Sequence, residues 1–180
     1  MKNIKFLGLV ALGLLFGCNS EGSLQQYYVA NQENNEFIAI DVPTSMFNSS
    51  ETLSPEQKVT METIKKINLL AIQKKPENLQ TMEDEQLKIA EILKDEKYQL
   101  LMRYGGGDAR VEIYFTGDEE AVDEIIVYGF DEDRGMGLAR VLGDDMNPGD
   151  ILSLFRSLEQ GDINMDGLKG ITSMFIEKTE

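Results

Sequence analysis

The residues from 98 to 142 constrain the fold most, because apolar and polar side chains alternate there instead of recurring every three or four positions. Such alternation is typical of strands with one buried face. Three glycines at 105–107 interrupt the first pair of alternating segments, and a polar run at 131–135 interrupts the second. We therefore predict two hairpins, at 98–115 and 122–142, that form a four-strand antiparallel meander.

Two further strands are predicted before the meander. Residues 37–42 are mostly apolar, with three β-branched residues, and are followed by Pro43, which ends a strand. Residues 67–72 form an apolar run that is typical of a central strand. Because a helix is predicted between them, the two strands should be parallel if they are neighbours.

Helix starts are indicated at two places in the same region. Ser54, Pro55 and Gln57 give an N-cap, a proline at the first helical position and a capping box. Thr81 indicates a second capping box. The expected buried faces of the two helices are Val59, Thr63, Ile64 and Ile67 for the first, and Leu79, Met82, Ile89, Ala90 and Leu93 for the second.

The end of the chain predicts helices again. Asn147 begins a run that caps a helix with Ile151 on its inner face, and residues 168–175 suggest a last helix. The order of elements predicts an α+β fold: a mixed sheet with a β-α-β-α start, a four-strand antiparallel meander and C-terminal helices. We expect one domain over 36–180, with helices on one face of the sheet.

The N-terminal residues have the layout of a secretory signal. Lys2 and Lys5 precede an apolar run at 6–16, which is too short to span a bilayer stably. Leu15 and Gly17 then precede Cys18, the single cysteine of the chain. This arrangement resembles the lipobox of bacterial lipoproteins, in which the cysteine thiol receives diacylglycerol before the leader is removed.

The expected processing defines three segments. Residues 1–17 form the signal peptide, and residues 18–35 form a lipidated tether with a short helix around Leu24. The mature chain would then be held on a membrane by the lipid on Cys18. Position 19 lacks the aspartate that commonly retains lipoproteins at the inner membrane, so we expect the outer membrane, with the periplasmic or surface face left open.

Composition excludes several classes of function. The chain has 32 acidic and 17 basic residues and a net charge of −15, which argues against nucleic-acid binding. It has no histidine, which removes histidine-based triads and imidazole metal sites. A lipidated Cys18 would leave no thiolate for catalysis.

Several segments of the chain resemble a known family. They are the strand at 37–42 with the following 43–47, the segment at 100–103 before a glycine-rich turn, the strands at 110–115 and 122–127, and the strand, turn and helix at 139–158. Together they resemble the Gram-negative lipoprotein family called domain of unknown function 4252, over roughly residues 35–175. The resemblance implies an envelope protein with no assigned activity, so it transfers no functional residues.

A weak calcium site is one candidate. Asp162, Asn164 and Asp166 match the first half of an EF-hand loop, in which oxygen ligands occupy positions 1, 3 and 5. The second half fails, because Lys169 and Ser173 stand where an apolar residue and a bidentate glutamate belong. An ordinary turn between helices explains the same residues.

Acidic turns are the other candidate. In a meander, successive turns lie at alternate ends of the sheet. We therefore expect the turn at 118–120 and residues 144–145 to lie at one end, and Asp108 and the turn at 131–133 to lie at the other. The first group forms an acidic rim that could face an envelope protein with a basic surface, or could simply be solvated. The rim residues are Asp118, Glu119, Glu120, Asp144 and Asp145.

The aromatic residues near the tether leave two interpretations open. Tyr27, Tyr28, Phe37 and Phe47 could form an adhesive surface patch, or could be buried anchors for the tether. For the whole chain we predict a non-enzymatic envelope lipoprotein for interaction, sensing or regulation, without a cofactor. The alternative is a weak divalent-cation or ligand binder, or a carboxylate-based hydrolase.

Overall fold

The computed structural model describes residues 22–43 and 53–159. The α+β class is confirmed, with four helices and six strands in these ranges. In chain order they are α1 (Leu24–Asn31), β1 (Ile38–Pro43), α2 (Pro55–Thr63), β2 (Ile64–Gln73), α3 (Leu79–Ile92), β3 (Gln99–Gly106), β4 (Ala109–Asp118), β5 (Ala121–Asp131), β6 (Gly135–Met146) and α4 (Pro148–Glu159). In the described ranges, no helix is both long and apolar enough to cross a membrane.

The six strands form one sheet in the order β1-β2-β6-β5-β4-β3. The predicted meander is confirmed as β3 to β6, each antiparallel to the next. The predicted parallel start, and with it the mixed sheet, is wrong, because β1 and β2 are antiparallel. The reason is that β2 begins close to where β1 ends: Pro43 pairs with Lys66. The connection through α2 therefore returns the chain to the same end of the sheet instead of crossing it.

Helices cover both faces of the sheet, so the prediction of one covered face is wrong. On what we call the first face, α1 and α3 pack in one hydrophobic cluster around Ile72, Ile126 and Leu138. On the second face, α2 and α4 pack in another cluster around Ile67, Ile125 and Val141. Adjacent residues of a strand point to opposite faces, and each central strand therefore contributes to both clusters.

The helix starts are only partly as predicted. The capping box at Ser54 is confirmed, since Gln57 N–H donates to the Ser54 hydroxyl and the Gln57 side chain accepts from Ser54 N–H. α3 begins at Leu79 after Asn78, before the predicted box at Thr81, which is therefore wrong. Asn147 caps α4 as predicted by accepting from two N–H groups, at 2.9 and 3.1 Å. The predicted last helix at 168–175 lies outside the described residues.

The predicted helical faces also need correction. Val59 is 65% exposed, and Ile64 and Ile67 belong to β2 rather than to the helix. The buried residue of α2 is Met61. In α3, Met82 and Ile89 are buried as predicted, as is Leu93 directly after it, whereas Leu79 and Ala90 are exposed.

Replacing the N-cap of α2 should destabilise the domain measurably. In Ser54→Ala the N–H of Gln57 loses its side-chain acceptor, and such losses cost about 1 kcal/mol. Urea-induced unfolding followed by circular dichroism would measure the change. Ser153→Ala on the exposed side of α4 is the control and should change the free energy of unfolding by less than about 0.5 kcal/mol. Equal effects of the two substitutions would contradict the capping role.

Candidate functional site: an open apolar face

The described residues cover the second face of the sheet over only half its length. Near the cluster around Ile67, α2 and α4 lie over the strands. At the other half, the six strands present a row of side-by-side residues that neither helix buries in that cluster. In sheet order the row is Ile38, Ala71, Gly137, Gly129, Val111 and Tyr104.

This open half forms a groove of about 550 Å³. In this row the residues of β2, β6 and β5 are small, namely Ala71, Gly137 and Gly129, and larger apolar residues stand on both sides of them. We call it the open groove. Its principal lining residues are Ile38, Ile40, Leu69, Ala71, Tyr104, Ala109, Val111, Val127, Gly129, Gly137 and Ala139.

Gly129 shows that the groove is not filled by its own strands. A Cβ atom built at Gly129 would meet no heavy atom within 4 Å. Its cross-strand neighbour Gly137 also lacks a side chain. Val or Ile would suit the middle of a strand better than glycine does. The sequence therefore leaves space on this face that ordinary strand residues would occupy.

Acidic turns flank one end of the open groove. Asp131 and Gly135 line this end, and they pair with each other where β5 turns into β6. The Glu132 N–H donates to the Asp108 carbonyl at 2.7 Å, which joins this turn to the turn between β3 and β4. The prediction that Asp108 and residues 131–133 share one end is confirmed. Arg110 and Arg134 also line the groove at this end.

The five residues of the predicted acidic rim lie at the opposite end of the sheet from these turns. Val122 pairs with Met146, which brings the turn at 118–120 close to residues 144–145, as predicted. Lys65 forms an ion pair with Asp144. Among the residues that the structure describes, no group of three or more Asp, Glu, His or Cys is placed to hold a metal ion. Cys18 and the calcium candidates Asp162, Asn164 and Asp166 lie outside the described residues.

The tyrosines of α1 are buried anchors. Tyr27 and Tyr28 are buried, and the Tyr27 ring packs edge-on against Phe37 with 6.2 Å between ring centroids. The backbone N–H of Leu24, a fully buried residue, donates to the Tyr98 hydroxyl at 3.0 Å. The part of the predicted tether that forms α1 is thus packed into the core of the first face through Leu24, Tyr27 and Tyr28. The fourth predicted anchor, at position 47, lies outside the described residues.

The sequence analysis did not predict a partly buried polar network that lies under α1. Asp41, Asn68 and Arg140 are neighbours across β1, β2 and β6, and Asn68 and Arg140 are only 2% and 3% exposed. The Tyr28 hydroxyl donates to Asp41 at 2.7 Å, and Asn68 donates to the same carboxylate oxygen. Asn68 is the one polar residue within the apolar run at 67–72. Its position there was the sequence feature that could have indicated the network.

Arg140 connects the network to α1 and to β5. Its Nη1 donates to the Gln25 side-chain oxygen at 2.8 Å, and its Nε donates to the Glu124 carboxylate. Together with the Tyr28–Asp41 hydrogen bond, these contacts fix the position of α1 on the first face. We assign the network a structural role, because Asn68 and Arg140 are enclosed by helix and strands, while the half-exposed Asp41 is hydrogen-bonded to α1.

Residues 27–154 match the model of a protein family described as a domain of unknown function, DUF4252. The chain belongs to this family. The match extends from α1 into α4, so it includes both the polar network and the open groove. No curated protein and no solved structure matches the chain. Membership in the DUF4252 family therefore brings no activity, ligand or catalytic residue with it.

Asp41 should make the folding stability of this DUF4252 domain depend on pH in the acidic range. Burial tends to raise the pKa of Asp41, but hydrogen bonds from Tyr28, Asn68 and Lys66 outweigh burial and lower that pKa. A lowered pKa in the folded state stabilises the fold above the ordinary aspartate range near about 4, and this contribution is lost as the pH falls through the lowered value.

Asp41→Asn should therefore weaken the loss of stability in acid. The free energy of unfolding, measured in urea between about pH 6 and about pH 2, should fall less steeply with decreasing pH than in the unsubstituted chain. Asp118→Asn, in an exposed turn, is the matched control. If Asp41→Asn and the unsubstituted chain showed the same slope, the hydrogen bonds to Asp41 would not be the source of the dependence.

Proposed function

We propose that this chain is a non-catalytic binding module, lipid-anchored through Cys18 at the outer membrane of a bacterial envelope. In this proposal the open groove receives a segment of another protein that carries apolar and basic side chains. The observation that carries it is the groove itself: a half-covered sheet face with space at Gly129. Soluble domains rarely leave large contiguous apolar surface exposed without a partner for it.

The shape of the groove favours a polypeptide segment. It runs across the sheet from Ile38 on β1 to Tyr104 on β3, and so offers a long shallow surface rather than an enclosed cavity. An amphipathic helix binds such a surface through apolar residues spaced three or four positions apart. The small central residues Gly129, Gly137 and Ala139 allow close approach of a partner backbone or a large side chain.

Charge favours a basic segment. Asp108, Asp131, Glu132 and Asp133 cluster at one end of the groove. The basic residues Arg110, Arg134 and Lys74 lie at the same end and offset part of their charge. The chain as a whole carries −15. A partner with lysine or arginine beyond its apolar face would be attracted to this end, and the attraction would weaken as salt is added.

The absence of catalysis is part of the proposal and rests on composition. The chain has no histidine, and its single cysteine would carry the lipid. The polar network of Asp41, Asn68 and Arg140 is hydrogen-bonded to α1 and has a structural explanation. No cofactor is proposed. The interaction would present or sense a partner at the membrane rather than transform it.

Lipid anchoring can be tested at Cys18. Cells that express the chain are labelled with radioactive palmitate and separated into membrane and soluble fractions. We expect label on the unsubstituted chain and its recovery with membranes, and neither for Cys18→Ser, which should retain the leader or be released. A Cys18→Ser chain that matures and partitions with membranes like the original would contradict the anchor.

The charge preference of the groove can be tested with a defined probe. A synthetic amphipathic helical peptide, with leucines on one face and lysines at one end, is titrated into the chain and followed by fluorescence anisotropy. Glu132→Lys with Asp133→Lys should weaken binding by about tenfold at low salt. Glu119→Lys with Glu120→Lys is the matched control at the other end and should have little effect. Equal weakening by both pairs would contradict a site at the groove.

A further inference from the structure

The edge strand β3 carries a second interaction surface. All eight of its residues are exposed, and they include Leu100, Leu101, Met102 and Tyr104, whose exposed fractions run from 38% to 78%. Within residues 22–43 and 53–159, β3 has a neighbouring strand on one side only, so one row of its main-chain N–H and C=O groups can pair with another chain. Large apolar side chains on an open edge are unusual, since exposed edges usually carry charges or proline.

The opposite edge of the sheet is protected in the usual way. β1 ends at Pro43, which has no N–H to donate, and carries Asp41 in its middle. By contrast, residues 99–107 contain neither proline nor a carboxylate. Their one charge, Arg103, forms an ion pair at 2.9 Å with Glu112 on the neighbouring strand. The two edges therefore differ in the features that prevent strand pairing.

We propose that β3 pairs antiparallel with β3 of a second copy of this chain, which joins the two sheets into one of twelve strands. A second copy presents the same apolar edge, which contains no carboxylate. Two copies with a net charge of −15 repel each other over most approaches, and a strand without carboxylates lets their backbones meet without apposed negative side chains. An antiparallel edge is also self-complementary, as a two-fold dimer requires.

The pairing has a consequence for the open groove. A two-fold axis through an antiparallel strand pair is perpendicular to the sheet, so the second faces of both copies lie on the same side. Tyr104 and Val111, which line the groove, would then continue into the same residues of the partner copy. The inference thus stands on β3 alone and extends the surface of the proposed function without depending on it.

Sedimentation equilibrium of the chain from position 18, with Cys18→Ser, tests the proposal. We expect a dimer that strengthens between about 50 mM and about 500 mM salt, because salt screens the repulsion between the acidic copies. Met102→Lys and Tyr104→Lys should each weaken association at least tenfold. Leu87→Lys, at a 70% exposed apolar site on α3, is the matched control and should leave association unchanged. Binding of the basic peptide to the groove weakens with salt, so the two proposals can fail separately.

Single cysteines locate the contact. In the Cys18→Ser background, a flexible thiol-reactive crosslinker longer than a disulfide should join two copies of Tyr104→Cys, and it should not join two copies of Leu87→Cys. A chain that stays monomeric at every salt concentration, or a dimer that neither lysine substitution weakens, would overturn the proposal. Equal crosslinking of the two cysteine variants would also overturn it, because it would indicate random collision.

Discussion

Gly135→Ala is expected to destabilise the domain by about 3 kcal/mol or more. Gly135 begins β6 with φ of +129°, a conformation that residues with a side chain rarely adopt. A Cβ atom there would lie 2.0 Å from the carbonyl oxygen of Ile72 and 2.9 Å from the backbone nitrogen of Lys74. Both neighbours are backbone atoms, so relief of the clash requires β2 and β6 to separate.

Gly129→Ala is the control for this substitution, because both glycines line the open groove. An added Cβ at Gly129 meets nothing, and the free energy of unfolding should change by less than about 1 kcal/mol. Urea-induced unfolding of both variants provides the comparison. Similar stability of Gly135→Ala and Gly129→Ala would contradict the described approach of β2 to the turn before β6.

Arg140→Met is expected to destabilise the domain by about 3 to 5 kcal/mol. Arg140 is 3% exposed, and its removal leaves the Glu124 carboxylate and the Gln25 amide oxygen without their donor. Buried charges that lose their partner cost far more than exposed ones, because water cannot replace the lost contact. The position of α1 should loosen as well, which hydrogen exchange at its amides would detect.

Two further variants separate the loss of the pair from other effects. Arg140→Met combined with Glu124→Met removes both charges and should recover much of the lost stability. Lys65→Met breaks an ion pair whose side chains are 62% and 64% exposed, and should cost less than about 1 kcal/mol. A double variant as unstable as Arg140→Met alone would show that lost packing, rather than an unpaired carboxylate, dominates.

The meander was predictable because its signals are local. Alternating side chains define each strand of β3 to β6, and the glycines at 105–107 together with the polar run at 131–135 define the turns between them. Antiparallel neighbours joined by short turns leave few other arrangements. The acidic groups at the two ends of the sheet followed from the same reasoning.

The prediction for β1 and β2 failed because the pairing of these strands depends on contacts between residues that are far apart in the sequence. A strand, a helix and a strand usually form a parallel crossover, but here α2 has only nine residues and leads directly into β2 at Ile64. Ile64 and Ile67 fit either a helical stripe or a strand, and burial against β6 decides for the strand. The sequence alone does not contain that contact.

The candidate site was harder to predict than the fold. Asn68 interrupts an apolar run and could have indicated buried polar partners, although Asp41 and Arg140 become its neighbours only through strand register. The open groove has no local signal. Gly129 and Gly137 are eight positions apart, and only the pairing of β5 with β6 brings them side by side.

The central claim is that the open groove binds a segment of another protein, and filling the groove tests this claim most directly. A photo-crosslinking residue placed at Val127 in the membrane-anchored chain is irradiated in its own membrane, and the attached segments are identified by mass spectrometry. We predict attachment to a segment with apolar residues at helical spacing and nearby lysine or arginine, and at least a tenfold loss of it in Gly129→Leu, whose side chain would occupy the groove. Val59→Leu, on the exposed side of α2, should retain it. Undiminished attachment in a stably folded Gly129→Leu would contradict a binding site on this face.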